Sequence, residues 1–365
     1  MPPRVLILTA SVGEGHDLPA RTLSEQLLEE CPDVELVVED CIPAMGRAVA
    51  AVSESMPGFF FFRFSWLWDL GFWVFAATGV TRRSTQRLLT RFATPGILRL
   101  VDSVRPDVVV SVYPTATEVL GRLRSAGRLD VPVVAAITDL AAMHYWATPG
   151  ADLHLVTHPE SIDEVYAVAG RDSVVHCVHG LTVRAFLESR SVADARVALG
   201  LPNAGAVVLV SGGGWGVGDV QGAVEEALTL PSVARVVCLC GRNEDLRERV
   251  ERRFAGEPRV RVEGFTEQMP DWLAAADALV HATGGLTVLE ALMRGCPAIS
   301  YGWGRGHVRV NNEAFRRFEL AQVAETRAEL RGALVAALTA GRTRTDSFEN
   351  LPSAASLVLE IASAA

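Results

Sequence analysis

The stretch AVVLVSGGGWGVGD, residues 206 to 219, decides the fold. Its unbroken aliphatic opening predicts a strand buried on both faces, the habit of parallel sheets. The glycines that follow predict a tight turn into a helix. The same grammar opens the chain, where RVLILTASVGEG, residues 4 to 15, precedes DLPARTLSEQLLEE with leucines at helical spacing. Working outward, VELVVED, DVVVSVY and VPVVAAITD supply strands to a first set, and ARVVCLCG, VRVEGF, ADALVHATGG and PAISYG to a second. The sequence therefore predicts an α/β protein of two Rossmann-like domains. Their predicted bounds are 1–185 and 186–340, with 341–365 a C-terminal helix returning to the first domain. The boundary falls near residue 185 because VHGLTVRAFLESRSVADARVALGLPNAG carries few strand signals. Ligands of open parallel sheets bind beyond the carboxyl ends of the strands, so two such edges facing one another are expected to form a cleft.

The bulk numbers narrow the function classes. A chain of 365 residues, 49% apolar and 21% charged, is globular and long enough for two cores. A net charge of -9 argues against nonspecific nucleic-acid binding, which needs a basic surface. The six cysteines lack metal-site spacing and are read as reduced. The apolar run Val5 to Ala10 is too short for a signal-peptide core, so the expectation is cytoplasmic.

Three loops carry chemistry. In SVGEGH, Ser11 to His16, glycines at 13 and 15 let backbone approach a ligand, and a helix beginning near Asp17 points its positive end there. Leu18 stands where a dinucleotide motif needs its third glycine. A plain strand-to-helix turn is the competing reading. In SGGGWGVGD, Gly213 and Gly214 belong to a backbone suited to a phosphate or sugar, with a flexible linker as the alternative. In the third, TGGLT presents backbone amides at Gly284, Gly285 and Thr287. A helix from Leu286 onward then carries Glu290, a carboxylate suited to ribose hydroxyls.

Taken together, G-x-G-H near the start, Gly-Gly-Gly mid-chain, G-F-x-x-x-M-x-x-W-x-x-x-A-D and G-G-x-T-x-x-E-A-L-x-x-G-x-P resemble the family 28 glycosyltransferases of GT-B fold. Within these, the chain is most similar to the monogalactosyldiacylglycerol synthases and the bacterial diacylglycerol glucosyltransferases. The resemblance implies an inverting, metal-independent hexosyltransferase with no cofactor beyond its nucleotide diphosphate sugar, UDP-glucose or UDP-galactose, and a lipid hydroxyl such as diacylglycerol as acceptor. It implies the base against the backbone around Gly264 and Phe265, the ribose on Glu290, and the phosphates at Gly284, Gly285 and Thr287, with Met269 also among the nucleotide-sugar-binding residues. Arg305 is a further candidate for the departing diphosphate. His307 and Val308 replace the Gln-Glu pair that holds sugar hydroxyls in relatives, while Asn311 is kept. Tyr113 stands where many relatives have His, on the acceptor side with Gly15. His16 and Asp139 are candidates for the base that takes the acceptor proton.

The stretch FFFFRFSWLWDLGFW, residues 59 to 73, fits the lipid reading, since ten of the 25 aromatic residues lie between Phe59 and Phe75. Phe60, Phe61, Trp66 and Trp68, followed by Arg83 and Arg87 in a segment spanning 56–95, are expected to dock peripherally on the anionic inner face of a membrane. Packing of these rings in a core or a dimer interface is the competing reading. So are a transferase for a soluble hydrophobic acceptor, a nucleotide-sugar 2-epimerase and a nonenzymatic membrane-docked nucleotide-sugar sensor.

Overall fold

The computed structural model describes residues 2–11, 14–46, 79–141, 143–282, 284–302, 304, 306–343, 348 and 350–364. Phe60, Phe61, Trp66, Trp68 and Arg305 lie outside the described residues, as does the side chain of His307. The chain divides into two compact units, one of Met1–Val183, Arg305–His307 and Leu351–Ala365, the other of Arg184–Gly304 and Val308–Asn350.

The first unit holds strands β1 (Arg4–Thr9), β2 (Glu35–Asp40), β3 (Val108–Ser111), β4 (Val133–Ile137), β5 (Leu153–Val156) and β6 (Val175–Cys177). They form one parallel sheet in the order β2-β1-β3-β4-β5-β6. Side chains alternate across a strand. Accordingly Leu6, Leu8, Val109 and Ala135 feed one core, and Val5, Ile7, Val108 and Val134 feed another on the opposite face. Helices α1 (Glu14–Glu30), α2 (Cys41–Ala44), α3 (Gly79–Val104), α4 (Pro114–Ser125) and α5 (Ile162–Ala169) belong to this unit.

The second unit repeats the plan. Strands β7 (Ala206–Ser211), β8 (Val233–Leu239), β9 (Val260–Glu263), β10 (Ala278–His281), β11 (Ala298–Tyr301) and β12 (Gln322–Ala324) make a parallel sheet ordered β12-β11-β10-β7-β8-β9. Its helices are α6 (Val192–Ala198), α7 (Val220–Leu228), α8 (Glu244–Arg253), α9 (Met269–Ala275), α10 (Gly285–Met293), α11 (His307–Arg317) and α12 (Arg327–Ala340). Caps fix their starts: the Asp219 carboxylate accepts from Gly222 N at 2.9 Å, and Thr326 with Glu329 closes a capping box on α12. Arg196, 6% exposed, braces the segment before β7: its Nη2 donates to Asp277 Oδ2 at 2.5 Å and its Nε to the Ala275 carbonyl at 3.1 Å.

The last helix, α13 (Ala354–Ala364), returns to the first unit. Its Ala354, Ala355, Val358 and Ala362 are buried against Val5, Ile7, Leu23 and Leu27, and its approach is pinned by Ala354 N donating to His179 O at 2.9 Å.

Candidate active site

Each sheet has one place where chain order reverses, and there the loops on either side diverge and leave a crevice. In the first unit it lies between β1 and β3; in the second, between β7 and β10. Of the residues singled out in the sequence, Gly15, His16 and Tyr113 lie at the first place and Gly213, Gly214, Gly284, Gly285 and Thr287 at the second. Asp139 follows β4, Gly264, Phe265 and Met269 follow β9, and Asn311 follows β11.

In the first unit, His16 follows β1. Helix α1 begins at Glu14, not near Asp17, so His16 is the third residue of the helix, inside its first turn. This corrects the placement ahead of the helix; the positive dipole end still disfavours an imidazolium there. The ring is fixed by β3's exit: Nδ1 lies 2.9 Å from the Val112 carbonyl. A carbonyl only accepts, so Nδ1 carries the hydrogen and, in the neutral ring, the basic lone pair sits on Nε2. Tyr113 packs edge-on to the imidazole at 5.1 Å, and burial raises its hydroxyl pKa above the usual phenol value. Gly15 is exposed, and a Cβ there would meet nothing within 4 Å, so open space lies over its backbone. Pro19 has no N–H to give the Gly15 carbonyl, and the Thr138 hydroxyl stands 3.5 Å from that oxygen.

Asp139 follows β4. Its Oδ2 accepts from Trp146 Nε1 at 2.9 Å, and the same indole, 2% exposed, lies 5.8 Å from the His16 ring. One buried side chain thus touches both candidate bases. Trp146 went unnoticed in the sequence because 130 residues separate it from His16 and only the sheet order brings them together. A Trp soon after a strand-end Asp was the available signal.

In the second unit, the loop after β7 is tightly folded on itself: Val217 N donates to Gly212 O at 2.8 Å and Gly216 N to Gly213 O at 3.2 Å. Gly218 has φ +92, and a Cβ there would lie 2.6 Å from the Ala282 Cβ. That contact joins the exits of β7 and β10 at the crevice. The glycines therefore serve close packing of the loops.

After β10, Gly284 is the N-cap of α10, which starts at Gly285, one residue earlier than expected. Thr287 is half-buried in the first turn, and Glu290 is only 6% exposed. Glu290 is thus a buried carboxylate on a helix rising from the crevice, which water does not solvate freely. Next along the other side of the sheet, Phe265 after β9 is 40% exposed, and the Arg242 guanidinium after β8 lies over its ring at 3.7 Å. Met269, half-buried, opens α9. Asn311 is fully enclosed in α11, so its amide faces protein, and the Ser300 hydroxyl donates to its neighbour Asn312 Oδ1 at 2.7 Å.

Residues 16–183 match the family model described as monogalactosyldiacylglycerol (MGDG) synthase, and residues 220–338 match glycosyl transferases group 1. A processive diacylglycerol beta-glucosyltransferase of Staphylococcus carnosus is 25% identical over 240 residues, 64% of this chain and 59% of that protein. Its namesake in Staphylococcus aureus (strain MRSA252) is 23% identical over 343 residues, covering 93% and 85%. Among solved structures, Acinetobacter baumannii MurG superposes with TM-score 0.59 at 16% identity, and the glycosyltransferase SnogD of Streptomyces nogalater with 0.58 at 18%, each over the full length of both chains. The structural likenesses show the fold to be that of the GT-B glycosyltransferases, and both matching family models describe glycosyl-transferring proteins. Within that class the chain resembles the lipid-glycosylating members: residues 16–183 match the monogalactosyldiacylglycerol synthase model, and the chain spans about three fifths of the length of the Staphylococcus carnosus relative.

Proposed function

We propose that the chain transfers a hexose from a nucleotide diphosphate sugar, UDP-glucose or UDP-galactose, to the hydroxyl of diacylglycerol or a similar lipid, with inversion and without a metal. The observation that carries this reading is the fixed tautomer of His16. With Nδ1–H held by the Val112 carbonyl at 2.9 Å, Nε2 is the nitrogen able to take a proton, in the domain that matches the lipid-glycosylating family. The acceptor oxygen attacks the anomeric carbon as the bond from that carbon to the diphosphate oxygen breaks. The hydroxyl proton passes to Nε2, and the electron pair leaves on the diphosphate. Backbone at the β7 and β10 exits and the start of α10 offers positive potential to that leaving group.

The lipid part of the reading draws on the names of the staphylococcal relatives and on one face of α3. Arg83, Arg87 and Arg91 are all exposed there, and beside them Leu88 and Phe92 are 55% and 58% exposed. Cations interleaved with apolar side chains suit the interface of an anionic bilayer, and no helix among the described residues is long and apolar enough to cross one.

The test is incubation with UDP-glucose or UDP-galactose and diacylglycerol vesicles, with and without EDTA, with product read by mass spectrometry and its anomeric configuration by proton NMR. Glycosylated diacylglycerol of inverted anomeric configuration, formed equally in EDTA, is expected. No product from either donor overturns the lipid reading, and loss of product in EDTA overturns metal independence.

A further inference from the structure

Beyond the residues already given roles, the exits of β7, β8 and β9 form a continuous strip. Arg242 N donates to the Gly214 carbonyl at 2.8 Å, and Gly241, at φ +61, lies so close that a Cβ would strike the carbonyl oxygens of Gly213 and Gly214. On the other side, the same Gly241 carbonyl is 3.7 Å from where a Cβ of Gly264 would stand. Arg242 is therefore anchored by its backbone to the glycine loop at the crevice while its side chain reaches the ring of Phe265.

That ring is an exposed aromatic, and the planar guanidinium lies 3.7 Å above its centroid. Such a separation is also the stacking distance of a planar heterocycle, so guanidinium and nucleobase cannot share this face. We propose that Arg242 is a donor-positioning residue that exchanges partners: it covers Phe265 in the unliganded protein, yields that face to the base of the nucleotide sugar, and turns its charge to the diphosphate beside Gly213 and Gly214. This rests on the nucleotide-sugar reading above. The exchange is favourable because base–aromatic stacking is stronger than an exposed cation–π contact, and an arginine–phosphate bond is gained as well.

The two halves of the exchange pull in opposite directions, which makes them separable. In Arg242→Ala the ring is uncovered, so uridine, which has no phosphate, binds about two- to fivefold more tightly than to the parent protein. UDP loses its arginine and binds about tenfold or more weakly. Arg242 is exposed, so the variant folds. Calorimetry with uridine and UDP on both proteins decides. Unchanged affinities for both ligands, or parallel losses of both, overturn the exchange while leaving nucleotide binding intact. Failure of the parent itself to bind UDP, dTDP or GDP overturns the nucleotide-sugar reading and the exchange with it.

Discussion

His154 shows how a single buried side chain makes a domain sensitive to acid. It is fully buried in β5, its Nε2 accepts from Thr148 N at 3.3 Å, and its Nδ1 lies 3.4 Å from the Val174 carbonyl. Burial holds its pKa below the ordinary imidazole value, and a proton on Nε2 would oppose the Thr148 N–H. Because the folded pKa is lower than the unfolded one, the unfolded chain takes up the proton first as pH falls. The stability is present above about pH 6.5 and is lost as pH drops toward the folded value. Melting temperature should fall from pH 7.5 to pH 5, and less steeply in His154→Gln; equal slopes would clear His154. At the crevice, His16→Ala should cut turnover by about 10²- to 10⁴-fold and spare UDP binding, as measured by steady-state kinetics and calorimetry. Glu290→Gln should keep the fold and weaken UDP by about 1.5–3 kcal/mol, and an unchanged affinity would remove Glu290 from the ribose. Sequence order alone brought His16, Gly284 and Glu290 to notice, since each follows a legible strand. Which nitrogen of His16 is basic was not legible, because the answer lies in a carbonyl 96 residues away.

At the scale of elements, aliphatic runs ending in glycine were sufficient to foresee parallel strands feeding helices, and the structure has them in both units. Helix starts were less legible. Glu14 and Gly15 read as turn, yet they are already helical, and Pro19, usually a breaker, sits inside α1. Early in a helix its missing N–H costs one bond, and the orphaned Gly15 carbonyl has the Thr138 hydroxyl nearby. Arg196 was also passed over, since nothing in ADARVALG marks it as buried. It joins α6 to the approach of β7 and to α9, and its partner Asp277 Oδ2 also accepts from Val207 N at 2.7 Å. Arg196→Ala would leave that half-buried carboxylate without its cation and should destabilise the second unit by about 1.5–3 kcal/mol in urea unfolding. A loss below about 1 kcal/mol would show the brace to be dispensable.

For the whole molecule, composition and net charge foretold an acidic globular protein, and they conceal a local reversal on α3. Replacing Arg83, Arg87 and Arg91 with Gln should reduce sedimentation with anionic vesicles, by about 1 kcal/mol for each residue at low salt, while binding of UDP persists. Equal pelleting of parent and variant would dissociate this face from the bilayer. The return of α13 to the first unit adds a constraint of timing. The second unit, residues 184–304 and 308–350, precedes the last piece of the first in the chain, so on the ribosome the second unit emerges complete while the first still lacks one wall. Val5, Ile7, Leu23 and Leu27 then wait uncovered until residues 354–364 leave the exit tunnel. A stop codon placed before Ala354 would spare every residue named at either crevice, yet yield a protein that aggregates or is degraded. Maturation of the first unit is therefore gated by the arrival of residues 354–364.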